Sequence, residues 1–338
     1  MLKAVRNPLA FIAGRWTPHP RTVRRAALTA LVMSVCIVVT GGAVRLTGSG
    51  LGCETWPKCS DDSLVATTEM GWHGLIEFGN RMLTYVVSAA VGWTIVAARS
   101  AKPRRRGLTR LGWAQFWVVA GNGILGGITV LTELNPFIVA AHFLAATALI
   151  TAATVTWQRT REGDEAPRPL VGVRLRRAVL GLTALTAALI VVGTGVTGSG
   201  KHAGDSSDIE RMPFDWETIT RVHSALAWAV VLATAAIWFA LRRADAPHAV
   251  RARARDLFAV LMAQGVIGYT QYALDEPELL VGVHLFGSAL VWIFTLRLLL
   301  ATRDRGPAPA PADTPSPRDP ARSRAAERRT EPEPAPAS

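Results

Sequence analysis

The sequence predicts an all-α polytopic membrane protein whose eight transmembrane helices form two pseudo-symmetric four-helix bundles. Three observations predict it. Half of the 338 residues are hydrophobic and only 18% are charged, which is too apolar for a soluble domain of this size. The apolar residues fall into eight runs of membrane-crossing length. Landmarks of the first four runs then recur in the last four.

The runs lie near 26–46, 72–98, 111–131, 137–157, 178–197, 216–241, 257–274 and 279–301. At 1.5 Å per residue, about 20 residues cross a hydrocarbon layer of roughly 30 Å. The net charge of +12 would suit a nucleic-acid binder only if it were gathered on one folded face. Here the charge is dispersed in the links between runs, so nucleic acid is excluded as a partner and lipid is expected instead. Arg99, Lys102, Arg104, Arg105, Arg106 and Arg110 occupy one link, and the 159–177 and 242–256 links are rich in arginine. The alternate links hold only Arg45, Lys58, Lys201 and Arg211. By the positive-inside rule, both termini are cytoplasmic in a multi-pass protein of the cell membrane. The first run is too long for a signal peptide and lacks a cleavage site, so it is expected to remain as a helix.

The chain therefore divides into a lead-in at 1–25, an N-terminal four-helix half at 26–157, a cytoplasmic linker at 158–177, a C-terminal half at 178–301 and a tail at 302–338. The tail, dominated by Pro, Ala, Arg and Glu, is expected to be disordered because it cannot bury enough apolar surface to fold.

The repeat is explicit in the residues. Thr47-Gly48-Ser49-Gly50 recurs as Thr197-Gly198-Ser199-Gly200, and Gly123-Ile124-Leu125-Gly126 as Gly265-Val266-Ile267-Gly268. Asn122 precedes one copy of the second pair and Gln264 the other, and a histidine, His142 or His284, follows sixteen residues later in both. Such self-similarity marks a duplicated unit.

Of the three cysteines, Cys36 falls inside the first run and reads as a packing residue. Cys53 and Cys59 share the first outer loop, on the oxidising side, where a disulfide persists. Spacing leaves open whether that disulfide is a structural staple or a redox-active pair. His19, His202 and His248 lie in polar links and read as solvated. His73, His142, His223 and His284 each sit in the outer half of an apolar run, so they share one layer of the membrane. Intramembrane histidines at one depth point to haem iron, which is held by imidazoles on facing helices of a bundle. Zinc would need three or four converging ligands, and no His-x-x-x-His pair is present.

His223 and His284 form the clean bis-histidine pair for a b-type haem. In the first half His142 matches His284, but Asn80 stands where His223 stands in the second. His73, two turns before Asn80, would replace it only if the haem sat nearer the outer surface. Glu77 is an ionisable group inside a span, either functional or paired with Arg81 at i+4.

At these residues the chain resembles the haem A synthase family. The resemblance covers about residues 24–300. It rests on the string from Gly41 to Cys53 with Trp56, Pro57 and Cys59, on Ile76-Glu77-Phe78 with Arg81, and on His142, His223 and His284. It implies oxidation of a haem O methyl group to the formyl group of haem A for cytochrome c oxidase. It also implies haem b on His223 and His284, His142 as an iron ligand to haem O, and Glu77 as the catalytic carboxylate. Arg45, Arg81 and Arg221 are candidates to pair haem propionates. Haem O synthase, a farnesyltransferase, and cytochrome oxidase assembly factors are the implied partners, and a homo-oligomer is compatible. Asn80, and the lack of cysteines at 198–215, are departures from the family pattern, and the chain resembles an actinobacterial variant of the family. The rival reading is a bis-histidine b-type cytochrome that transfers electrons without modifying haem. It explains His223 and His284 but neither Asn80 nor Glu77.

Overall fold

The structure, a computed structural model, describes residues 7–202, 204–205 and 208–308. Most of the expected tail, 309–338, and the first six residues of the lead-in lie outside the described residues. Among the described residues there are nine α-helices: α1 (Pro8–Arg15), α2 (Pro20–Leu46), α3 (Gly71–Ser100), α4 (Arg106–Leu131), α5 (Pro136–Arg159), α6 (Val173–Ser199), α7 (Trp216–Arg243), α8 (His248–Ala273) and α9 (Glu278–Ala301).

Their starts are written in local chemistry. Pro8, Pro20 and Pro136 open α1, α2 and α5, where a missing N–H costs nothing. Asn7 accepts from the Ala10 amide at 3.0 Å, Asn135 from the Phe137 amide at 3.1 Å and Asp215 from the Thr218 amide at 2.9 Å, each satisfying an orphan donor of a first turn. The lead-in is thus partly helical. Leu9 of α1 packs on the cluster of Ala30, Val87, Val91, Ile95, Val119 and Leu149.

The repeat extends to element boundaries. The bounds of α4 and α5 map onto those of α8 and α9 at one constant offset in residue number. The turns between them also correspond: Glu133 and Leu134 have φ of 50° and 60°, and Asp275 and Glu276 have 63° and 60°. Non-glycine residues seldom adopt this left-handed region, so two successive ones at matching places are a shared structural device. Helices α2 to α5 contact one another in a closed ring, as do α6 to α9, and the rings meet where α9 touches α2 and α5 and where α5 touches α6. Leu31, Val38, Ala146, Ile150, Ala289 and Ile293 fill that seam, and the Trp292 indole donates to Thr151 Oγ1 across it at 2.7 Å.

Seven of the long helices are apolar enough to cross a membrane, which makes this a multi-pass membrane protein. Eight were expected, and α8 falls short. Its first turns carry Arg251, Arg253, Arg255 and Asp256, and Gln264 and Gln271 interrupt the apolar remainder. Large apolar side chains outside the cavity wall are exposed, among them Trp117 and Leu232, as they are on helices that meet lipid tails rather than water.

At the end of the helices remote from the disulfide loop, the 160s link is held in place. Arg168–Pro169 pairs antiparallel with Arg303–Asp304, Gly163 donates to the Gly306 carbonyl at 2.8 Å, and Leu170 donates to that of Thr302 at 2.9 Å. Arg105 grips Asp164 at 2.7 and 2.9 Å. Residues 303–308, expected to belong to the tail, are therefore part of the fold.

Candidate functional site

A cavity of 1610 Å³ opens between the helices of both rings and extends toward the end that carries the disulfide loop. Its wall includes His142, His223, His284, Asn80, Glu77, Arg81, Arg45 and Arg221, so nearly every side chain singled out by the sequence faces one space. His73 is not in that wall. Its Nδ1 lies 3.0 Å from Ser49 Oγ and its ring stacks on Trp72 with centroids 3.8 Å apart. The sequence allows His73 to stand in for Asn80; in the fold its ring faces Ser49 and lies outside the cavity wall. Asn80 itself accepts from Thr40 Oγ1 at 2.7 Å.

The two rings present different chemistry. In the second, His223 and His284 face each other from α7 and α9 with centroids 6.4 Å apart and planes inclined by 66°. In the first, His142 has no histidine opposite it. Each imidazole rests in a notch on a neighbouring helix where the absence of a side chain makes room. A Cβ at Gly126 would lie 3.1 Å from Cε1 of His142, one at Gly193 3.2 Å from that of His223, and one at Gly268 3.2 Å from that of His284. The Nδ1 atoms of all three are buried without a hydrogen bond of normal geometry, and the backbones of Asn122 and Leu189 lie beside His142 and His223. Gln264 donates to the His284 carbonyl at 2.9 Å, fixing α8 against α9 at the turn that bears His284.

Glu77, 6% exposed, is held on both carboxylate oxygens. Oε2 accepts from the Cys53 amide at 2.7 Å, and Oε1 accepts from Arg81 Nη2 at 2.5 Å and Nε at 3.1 Å. Arg81 also donates to the carbonyls of Thr55 and Lys58, both at 3.0 Å, and of Cys53 at 3.3 Å. Cys53 and Cys59 form a disulfide. The carboxylate, the guanidinium and the disulfide loop thus make one unit beside the cavity, and the i+4 pairing expected as an alternative is present. Cys36 is free and half-buried.

The expected propionate partners have partners already. Arg45 donates to the carbonyls of His202 and Thr197, both at 2.7 Å, and Arg221 pairs with Glu217 at 2.8 Å. His202, expected to be solvated, lines the cavity and donates to the Glu276 carbonyl at 2.9 Å. Here Gly50 donates to the Gly204 carbonyl at 2.8 Å, so the first copy of the repeated loop is strapped to the segment that follows the second. Sequence reading also missed Tyr269, whose hydroxyl accepts from the Trp228 indole at 2.8 Å and lies 3.1 Å from Ser224 Oγ.

Among the described residues, no three His, Cys, Asp or Glu side chains converge as a bare metal ion would require. Paired or single imidazoles in an apolar wall suit instead a metal that brings its own equatorial ligands. Fold and site together define a multi-pass helical membrane protein with histidines presented in pairs or singly to an intramembrane cavity.

A family model sharpens that class. The chain belongs to the COX15-CtaA family of cytochrome oxidase assembly proteins, whose model matches residues 24–75 and 73–296. It is 27% identical over 201 residues to a protein of Lysinibacillus sphaericus, covering 58% of this chain and 63% of the relative. It is 30% identical over 196 residues to one of Listeria welshimeri, covering 56% and 62%. Both relatives carry the name heme A synthase. The chain spans about three-fifths of the length of these curated relatives.

Proposed function

We propose that the protein is a haem A synthase of the cell membrane that oxidises the methyl group of haem O to the formyl group of haem A for cytochrome c oxidase. The observation that carries this reading is the inequality of the two rings around one cavity. One offers a facing histidine pair, the other a single histidine with a buried carboxylate. The names of the relatives support it.

On this reading α8 is the eighth span, since it is as long as its neighbours and completes the second ring. The two rings are then two four-helix bundles, the disulfide loop is outside and both termini are cytoplasmic. His223 and His284, which face each other across the cavity, would hold haem b. Two metal–imidazole bonds of about 2 Å each, with the ring atoms behind them, account for a separation close to that observed. Haem b, when bound, supplies one-electron redox chemistry. His142 would hold the substrate iron, and Asn80 lines the same cavity.

Glu77 takes up or releases the proton that accompanies oxidation of the methyl group. Arg81 and the Cys53 amide hold its two oxygens in place, so the carboxylate is positioned before substrate arrives. Much of the wall is apolar, and exposed Arg221 is the guanidinium most free to turn toward a propionate. Haem O synthase, which supplies the substrate, and assembly factors of cytochrome oxidase are the expected partners.

The test is to purify the full chain after co-expression with a haem O synthase and to identify the extracted pigments by mass. Haem b together with haem O or haem A is expected. Haem b alone, at two per chain, would overturn the reading in favour of an electron-transfer cytochrome.

A further inference from the structure

At the end of the helices remote from the disulfide loop, basic side chains from both rings gather round Trp157 of α5. Arg161, just beyond α5, places its guanidinium carbon 4.0 Å from the Trp157 ring centroid. Arg297, near the end of α9, places its own 5.4 Å from the same ring and 5.2 Å from that of Phe294. Arg253 of α8 lies within electrostatic reach of both, and Arg24 of α2 within reach of Arg161. Burial, and then the charges of Arg24 and Arg253, push the Arg161 guanidinium below its usual range.

The carboxylate facing this group is Asp256. It is 3.6 Å from Arg253 and already 2.8 Å from Arg255. Arg297 Nε is buried and without a hydrogen-bond partner. The contrast with the neighbouring clasp is direct: there Arg105 and Arg159 meet Asp164 and Glu162, whereas here, among the described residues, the ion pair within the group is that of Arg253 with Asp256, which Arg255 also claims. Stacking of Arg161 and Arg297 on Trp157 offsets part of the repulsion. It provides no counter-charge and no acceptor for the remaining N–H groups.

Guanidinium forks are matched to phosphate oxygens. Basic pockets between transmembrane helices at this level of a membrane are where anionic head groups bind. Arg297 sits in the last turns of an apolar helix while Arg161 is exposed, so the group straddles the depth of a lipid phosphate. We propose that Arg24, Arg161, Arg253 and Arg297 bind the phosphodiester of an anionic phospholipid wedged at the seam of the two rings. The bound lipid neutralises the cluster and ties α2 and α5 to α8 and α9.

The experiment uses full-length holoprotein in nanodiscs of phosphatidylcholine alone, of phosphatidylcholine with phosphatidylglycerol, and of phosphatidylcholine with millimolar inorganic phosphate. Thermal midpoint and retained lipid by native mass spectrometry are read in each. Phosphatidylglycerol is expected to raise the midpoint and to be retained at one per chain. Each guanidinium removed should weaken retention about fivefold, and Arg161→Gln with Arg297→Gln about 25-fold. The exposed Arg161→Gln single variant serves if the double variant fails to fold. Equal midpoints in all three preparations, or undiminished retention by Arg161→Gln, would overturn the proposal. So would inorganic phosphate reproducing the whole effect, which would identify a site for a soluble anion. None of these outcomes bears on haem oxidation.

Discussion

Replacing Gly268 by Ala tests whether the notches position the histidines. The new Cβ would stand 3.2 Å from Cε1 of His284, where carbon atoms rest at about 3.5–4.0 Å. The ring has to yield by about 0.3 Å or more, and it has little freedom, because Gln264 pins the His284 carbonyl and Nδ1 is buried. Overpacking of this kind costs about 1–3 kcal/mol. If the strain falls on the ligand geometry, retention of haem b weakens about 5- to 150-fold. The assay is haem b per chain after purification, with the absorption spectrum reporting whether both imidazoles still ligate. Gly181→Ala on α6, where nothing lies within 4 Å of the added carbon, is the control and should retain full haem. Full retention by Gly268→Ala, or equal loss by Gly181→Ala, would refute the reasoning.

Three further outcomes are expected. Glu77→Gln keeps an acceptor for the Cys53 amide but not the charge, so haem A output should fall about 100-fold or more while haem b on the other ring is retained; pigment analysis decides. Arg81→Met strands the Glu77 carboxylate and should cost about 3–5 kcal/mol. Adding Glu77→Gln to it should restore part of that, and a double-mutant cycle on thermal unfolding checks the sign. Hydrogen bonds from Arg105 hold the Asp164 carboxyl below the usual carboxylate range. Because the folded value is the lower one, the stabilisation is complete above the unfolded value near about 4 and is lost as pH falls through the folded value. With the carboxylate half-exposed, it amounts to about 0.5–1 kcal/mol, and amide exchange at Gly163 and Leu170 against pH measures it.

Helix positions, the duplication and the Cys53–Cys59 pair were legible because each is local: run length, a repeated string, two cysteines in one outer loop. The site was legible in its residue types, since a histidine or carboxylate in an apolar run announces itself. What escaped were relations across long separations. Nothing near His202 shows that Arg45 and Glu276 will enclose it, and nothing near Arg303 shows that it will pair with Pro169. The place of His73 turned on the path of the outer loop, which brings Ser49 to it. Gly193 carried no signal because a glycine in an apolar helix has many uses, and only the imidazole packed against it reveals this one. Gln264 and Gln271 interrupt the apolar run of α8, and Gln264 braces the turn that bears His284.

The outer strap, in which Gly50 bonds to Gly204 and Arg45 to Thr197 and His202, joins two copies of one motif within a single polypeptide. In a symmetric pair of identical subunits, any substitution is made twice, and a ligand lost from one site is lost from both. Covalent fusion removes that constraint. With the halves fastened at the strap and along the α5–α9 seam, one copy keeps a histidine where the other carries asparagine, and a single gene sets two unlike groups of side chains around one cavity.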